Sequence, residues 1–276
     1  MHKKRKNAPS LLKRYKNSLP NTLLMKNFTL TTIRKAGNAA LKLFGKSFKV
    51  KYKNYQDVVT SADIASEKVL ISAIRKAYPT HSILSEEAGK ISSSSSYCWY
   101  LDPLDGTNNF FMGLPLWGVS MALYKENTPL AGASYFPLQN ELYYAEKGKG
   151  AFLNGKRIRV SKKKDTRSSL LVFDDPRALD SFRTKEGDIK EFADKFFAVR
   201  VLGSACYTHA LLAKGTIDAC FHPKLKPGDF AAGKILIEEA GGRIEDVERN
   251  ETQMERSVRF LATNGKLHAK IKRMLK

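Results

Sequence analysis

The sequence predicts a layered α/β fold in which strands and helices mix in both halves of the chain, the halves meeting near residue 158. Three observations predict it. Residues 61–77 carry helical periodicity, with Leu70, Ala73, Ile74 and Ala77 on one face. Short apolar runs across 119–153 read as successive strands and end in the hairpin signal Asn154-Gly155. The stretch 229–240 is apolar almost throughout, which suits a helix in the interior. At 276 residues, 42% of them hydrophobic, the chain is long enough for a large core and too apolar for global disorder.

Taken in order, residues 1–26 read as a basic arm in which Pro9 and Pro20 interrupt any long helix. A helix is expected at 29–45, ending at Gly45. The helix at 61–77 is capped by Thr60 or Ser61 and stopped at Tyr78-Pro79. A strand at 82–84 leads into Ser85-Glu86-Glu87, and a serine-rich loop follows at 92–96. A strand at 97–101 delivers Asp102, with Pro103 expected to fix a turn. Strands are expected at 119–124, 131–136, 141–145, 151–153, 170–173, 217–221 and 260–262. Helices are expected at 188–197, 204–214, 229–240 and 266–276. The predicted organisation is therefore an arm at 1–26, an α+β unit at 27–158 and an α/β unit at 159–276.

The formal charge of +21 is concentrated at the ends. Residues 1–26 hold eight Lys/Arg and residues 256–276 hold seven, with no acid in either segment. Such ends attract polyanions, RNA or phosphorylated metabolites among them, while a solvated tail accounts for them equally well. No apolar run reaches the ~18 residues of a membrane helix, and no secretory signal is apparent. Cys98, Cys206 and Cys220 are odd in number and lack CxxC spacing, which suits a reducing cytoplasm. His2, His81, His209 and His268 show no ligand spacing and read as surface or packing residues.

The chemistry-bearing residues are carboxylates placed where elements meet: Asp63, Glu86-Glu87, Asp102 with Asp105, and Asp229. Singly, each has a structural reading, since Asp63 and Asp229 favour helix N-termini and Glu86-Glu87 suits a solvated turn. The run Asp102-Pro103-Leu104-Asp105-Gly106-Thr107 is harder to explain so. Two carboxylates three residues apart repel unless a cation lies between them, and hard oxygen donors suit Mg²⁺ or Ca²⁺. Backbone N–H groups of Gly106, Thr107 and Asn108, if they open a helix, would sit beside that cation as an anion site. A metal cluster beside an anion cradle indicates phosphate chemistry.

The run 99–110, the segment Gly228-Asp229-Phe230-Ala231-Ala232-Gly233 with Glu239-Ala240-Gly241-Gly242, the segment 57–63 and Leu84-Ser85-Glu86-Glu87 together resemble the signatures of the inositol monophosphatase family. Their order and spacing match from about residue 30 onward. The resemblance implies an αβαβα sandwich and Mg²⁺-dependent hydrolysis of a small phosphate monoester, with two or three ions. It maps metal ligands to Glu86, Asp102, the Leu104 carbonyl, Asp105 and Asp229. It maps a water-orienting pair to Asp63 and Thr107, with Glu87 in support, and substrate contacts to Gly106, Thr107, Gly203, Ser204, Ala205 and position 222. A homodimer in the cytoplasm is implied. SuhB-type members of the family add contact with RNA or a transcription complex, here through the basic ends.

Two positions depart from the family pattern. His222 stands where inositol-specific members carry Glu, and with Lys224 and Lys226 it points to a more anionic substrate, such as a 3′-phosphonucleotide, fructose bisphosphate or histidinol phosphate; a loop that touches nothing is the plainer reading. Gly228 replaces a frequent Trp. Haloacid-dehalogenase chemistry is excluded because Asp102 and Asp105 are three residues apart rather than two, and no GxxxxGK[ST] loop is present.

Overall fold

The computed structural model describes residues 22–55, 57–174, 189–249, 254 and 256–275. Most of the arm expected at 1–26 lies outside these residues, as do His2 and residue 188. Helix α1 (Thr22–Leu41) begins earlier than expected and ends four residues short of Gly45. Met25, Ile33 and Ala36 bury its inner face against a sheet, and that packing extends the helix beyond its local signal.

A hairpin of β1 (Val50–Asn54) and β2 (Asp57–Thr60) feeds α2 (Ser61–Ala77). The start of α2 is fixed reciprocally: the Ala62 N–H donates to Thr60 Oγ1 at 3.1 Å, and the Thr60 N–H donates to Asp63 at 2.8 Å.

The first sheet has eight strands: β3 (Ser82–Ser85), β4 (Gly89–Ile91), β5 (Tyr97–Asp105), β6 (Gly118–Lys125), β7 (Thr128–Phe136), β8 (Glu141–Glu146), β9 (Gly150–Leu153) and β10 (Lys156–Ile158). Their spatial order is β10-β9-β8-β7-β6-β5-β3-β4, antiparallel except for β3 beside β5. Asn154 (φ 47°) and Gly155 (φ 81°) are both left-handed, the conformation a two-residue hairpin turn requires. A five-residue helix, α3 (Thr107–Phe111), follows β5.

The second sheet has five strands: β11 (Leu170–Phe173), β12 (Ala198–Arg200), β13 (Ala219–Leu225), β14 (Arg243–Asp246) and β15 (Val258–Thr263), in the order β12-β11-β13-β15-β14. Helices α4 (Ile189–Ala193), α5 (Ala205–Ala213), α6 (Pro227–Glu239) and α7 (His268–Leu275) complete the chain.

Alternation along the strands explains the layering. On β6, Val119, Met121 and Leu123 face α1 and α2, while Ala122 and Tyr124 face α5 and α6. The apolar α6 is buried between the two sheets, with Phe230, Ala232, Ile235 and Leu236 almost inaccessible. Beyond the second sheet, Phe192 of α4 and Leu267, Ile271 and Met274 at α7 cover Leu171, Phe221 and Leu261. The layers run α1/α2, eight strands, α5/α6, five strands, α4/α7: an αβαβα sandwich.

Candidate active site

The strand expected to end at Leu101 continues to Asp105, and Pro103 lies within it rather than in a turn. The ladder to β6 pairs Asp102 with Ser120 but Asp105 with Gly118, so the Asp102–Asp105 stretch holds one residue more than its partner strand. This bulge sets the chemistry. In a regular strand, residues three apart point to opposite faces. Tyr100 and Asp102 face the α5/α6 layer, and the extra residue returns Asp105 to that side, where its carboxylate accepts a hydrogen bond from the Ser204 hydroxyl at the start of α5. Leu104 packs oppositely, with Ala40, Ala62, Phe110 and Trp117. Pro103 has no N–H to leave unpaired at the bulge. Gly106 then adopts φ 78°, and a Cβ there would come within 2.7 Å of the Leu116 carbonyl, so glycine is required at the turn into α3.

Thr107 opens α3 and points back at α2. Its hydroxyl lies 3.1 Å from Asp63 Oδ1 and 2.7 Å from the Leu104 carbonyl. Asp63 Oδ2 accepts from the Thr60 hydroxyl at 2.6 Å, so the carboxylate is held from both sides. Burial raises the Asp63 pKa to about 6, against the lowering effect of the Thr60 and Thr107 hydrogen bonds.

Asp229 occupies the third position of α6 and accepts the Lys226 N–H at 2.8 Å, as Asp63 does for Thr60. Donor atoms of Glu86, Asp102 and Asp229 lie within 4.8 Å of one another, as do those of Asp102, Asp105 and Cys206. The cost of this crowding is visible in the proton affinities. Burial, then the charges of Glu86, Asp105 and Asp229, push Asp102 far above the usual carboxylate range. Burial raises Asp105 to about 6, and burial together with Glu86 raises Asp229 to about 7. Among the described residues, lysines reach only the rim: Lys226 Nζ sits 3.1 Å from Glu86, and Lys53 pairs with Glu87. Buried like charges held this close are a donor set for a hard, multivalent cation.

The cleft of about 250 Å³ is lined by Glu86, Asp102, Leu104, Asp105, Gly106, Thr107, Gly203, Ser204, Ala205, His222 and Asp229, together with Asn108, Asp174 and Leu225. Asp63 and Glu87 are not in that lining: Asp63 stands behind Thr107, and Glu87 turns to Lys53. His222 is only 2% exposed and lies in β13, not in a free loop; its Nδ1 faces Asp174 at 4.0 Å. Because Lys226 pairs with Glu86 and Lys224 lies on the outside, the three basic residues at 222–226 do not converge in the cleft.

Three supporting residues escaped the sequence reading. Glu67 accepts from the Ser85 hydroxyl at 2.5 Å and from the Ala88 N–H at 2.9 Å, holding the Glu86-Glu87 turn. Asp174 accepts the N–H groups of Leu202 (2.6 Å) and Gly203 (3.0 Å) and the Thr208 hydroxyl (2.7 Å). The Asn109 amide reaches the same loop from the other half of the chain. Only Glu67 left a signal, as a charge three residues before Leu70 on a buried helical face.

The profile described as the inositol monophosphatase family matches residues 24–276. The chain belongs to that family. Among curated relatives, the Nus factor SuhB of Haemophilus influenzae is 37% identical over 259 residues, covering 91% of this chain and 94% of the relative. Inositol-1-monophosphatase of Caulobacter vibrioides is 34% identical over 249 residues, covering 86% and 95%. Among solved structures, the extragenic suppressor protein SuhB from Bartonella henselae matches with a TM-score of 0.85 at 30% identity, covering 92% of this chain and 98% of that one.

Proposed function

We propose that this chain is a Mg²⁺-dependent phosphatase that hydrolyses a small phosphate monoester, inositol 1-phosphate or a related sugar or polyol phosphate, with water as the attacking group. The observation that carries the reading is the convergence of Glu86, Asp102, Asp105 and Asp229, drawn from separate elements, on one cleft beside Thr107. Their raised proton affinities fit a site completed by cations. Glu86, Asp102, the Leu104 carbonyl, Asp105 and Asp229 would hold two or three ions. Bound there, Mg²⁺ lowers the pKa of water and neutralises phosphoryl oxygens.

The chain's own residues position the reactants. Thr107 has one hydroxyl proton. Donating it to Asp63 leaves the Leu104 carbonyl free to face a cation and turns the Thr107 lone pairs toward a water, which donates to them and is thereby oriented. Asp63 cannot turn away, because Thr60 holds its other oxygen. Glu87, tied to Lys53, steadies the turn that carries Glu86. Gly106, Gly203, Ser204, Ala205 and His222 offer the substrate side of the cleft.

The test is phosphate release from a panel of monoesters with and without Mg²⁺, run beside Asp105→Asn. The panel includes inositol 1-phosphate, fructose 1,6-bisphosphate, a 3′-phosphonucleotide and histidinol phosphate. Mg²⁺-dependent release that the substitution abolishes is expected; no release from any member overturns the reading.

The SuhB relatives favour a second reading, a protein that contacts RNA or a transcription complex, with phosphatase activity secondary; under either reading we propose a cytoplasmic homodimer. Lys266, Lys270 and Arg273 lie exposed on and beside α7 and would supply part of the basic surface. No helix among the described residues is long and apolar enough to cross a membrane. RNA affinity that survives charge reversal at these three positions and deletion of residues 1–21 would remove the terminal-charge version of this reading.

A further inference from the structure

At the inner wall of the cleft, between α5 and β13, the cleft-lining His222 meets two further potential metal ligands from the interior. His209 comes from α5; Cys220 and His222 are two residues apart on β13 and share its inner face. All three are buried, with exposures of 0%, 0% and 2%. One donor atom from each, imidazole nitrogen or Sγ, lies within 4.8 Å of the other two. Among the described residues, neither ring nitrogen of His209 has a hydrogen-bond partner, and neither does Nε2 of His222. Buried polar atoms left unpaired are costly and uncommon, and three in one place call for a ligand.

The surroundings suit a cation. Burial and the neighbouring ring hold His209 far below its usual pKa, and burial lowers His222 against the opposing pull of Asp174, so both imidazoles are neutral and keep a lone pair. Asp174, held by the Thr208 hydroxyl, faces Nδ1 of His222 at 4.0 Å and places a negative charge beside that ring. Phe260 walls the site, its ring centroid 4.8 Å from that of His209. Gly233 of α6 makes room for the ring: a Cβ there would come within 2.3 Å of His209 Nδ1.

We propose that His209, Cys220 and His222 form a second metal site, for a thiophilic cation such as Zn²⁺, distinct from the acidic cleft. Two imidazoles and a thiolate select Zn²⁺ over Mg²⁺, as the carboxylate cleft selects hard cations. Binding converts the Cys220 thiol to a thiolate and releases its proton to solvent. The ion would pin α5 to β13 beneath the Leu202–Gly203–Ser204 loop.

The test uses Co²⁺ as a spectroscopic substitute for Zn²⁺. The full-length protein is refolded with Co²⁺ in a large excess of Mg²⁺, so that the acidic cleft is saturated with Mg²⁺. A near-ultraviolet thiolate-to-cobalt charge-transfer band of one equivalent per chain is expected, displaced by Zn²⁺ and retained in Cys206→Ala. The band is lost in Cys220→Ala. Absence of the band from the wild-type protein overturns the site. So does its loss in Cys206→Ala, which would place the ion with Asp102 and Asp105. Should Cys220→Ala fail to fold, a band retained in both Cys206→Ala and Cys98→Ala still assigns the thiolate to Cys220, and its loss in Cys98→Ala overturns the site.

Discussion

The Asn109 side-chain amide donates to the Leu116 carbonyl and to the Leu202 carbonyl, each at 2.8 Å, and the second bond spans 93 residues of sequence. One side chain thereby ties the α3 end of the cleft to the loop that opens α5. Asn109→Ala leaves both carbonyls without this partner, at a cost of about 1–3 kcal/mol. Its melting temperature should fall by several degrees, and KM should rise more than kcat falls because the Gly203–Ala205 wall loosens. Thermal denaturation and steady-state kinetics check both.

Asp105→Asn removes a charge from a crowded cluster without changing its volume. In the metal-free protein, repulsion falls and the melting temperature should rise. With Mg²⁺ present, turnover should be lost, because a ligand charge has gone. Scanning calorimetry in EDTA and phosphate-release assays give the two readouts, and a melting temperature that falls in EDTA contradicts the electrostatic account.

The pH dependence of the metal-free protein follows from the same groups. Asp63, Asp105 and Asp229 have pKa values raised from 3.8 to about 6, 6 and 7 on folding. The folded state therefore binds their protons more tightly than the unfolded state does. That stabilisation is complete below about pH 4 and is lost as pH rises toward 7. Melting temperatures in EDTA should decline across this window on this account, and saturating Mg²⁺ should flatten the decline. A metal-free protein whose stability rose from pH 4 to 7 would show that other groups dominate.

Thr107→Ala should lower kcat by about 10²–10⁴-fold, the range for a positioned proton-handling group. Thr107→Ser keeps the hydroxyl and should recover most of the loss. Asp63→Asn should resemble Thr107→Ala in kcat, since its single amide oxygen cannot accept from both the Thr60 donors and the Thr107 hydroxyl. Measuring all three at saturating substrate separates this role from binding.

Local physics made part of this molecule legible. The cap at Thr60 with Asp63, the apolar α6 and the Asn154-Gly155 turn all announce themselves in short stretches of sequence. So did the carboxylates that line the cleft, because acids after apolar strands are conspicuous. The β1–β2 hairpin did not, since Lys51, Tyr52, Lys53 and Asn54 are exposed and show no apolar alternation. Asp174 and Asn109 hold the α5 loop through partners 28 and 93 residues away, distances at which sequence periodicity is silent. His209 read as packing, and its neighbours Cys220 and His222 become visible only when α5 docks on β13. The loop expected from His222 onward instead completes a strand to Leu225, whose register slips by one residue between His222 and Leu225.

The bulge in β5 also bears on how this stretch can change through descent. Loops elsewhere in the molecule can gain or lose residues, but between Asp102 and Asp105 the number of residues sets the side to which the second carboxylate points. Losing one residue there would regularise the ladder while leaving the two acids on the same face, at the expense of a backbone carbonyl. Gaining one while the bulge persists would turn Asp105 toward Trp99 and Leu101 and bury an unpaired charge among them. Length at this point is therefore under tighter constraint than side-chain identity at Pro103, and insertions should be rarer here than substitutions.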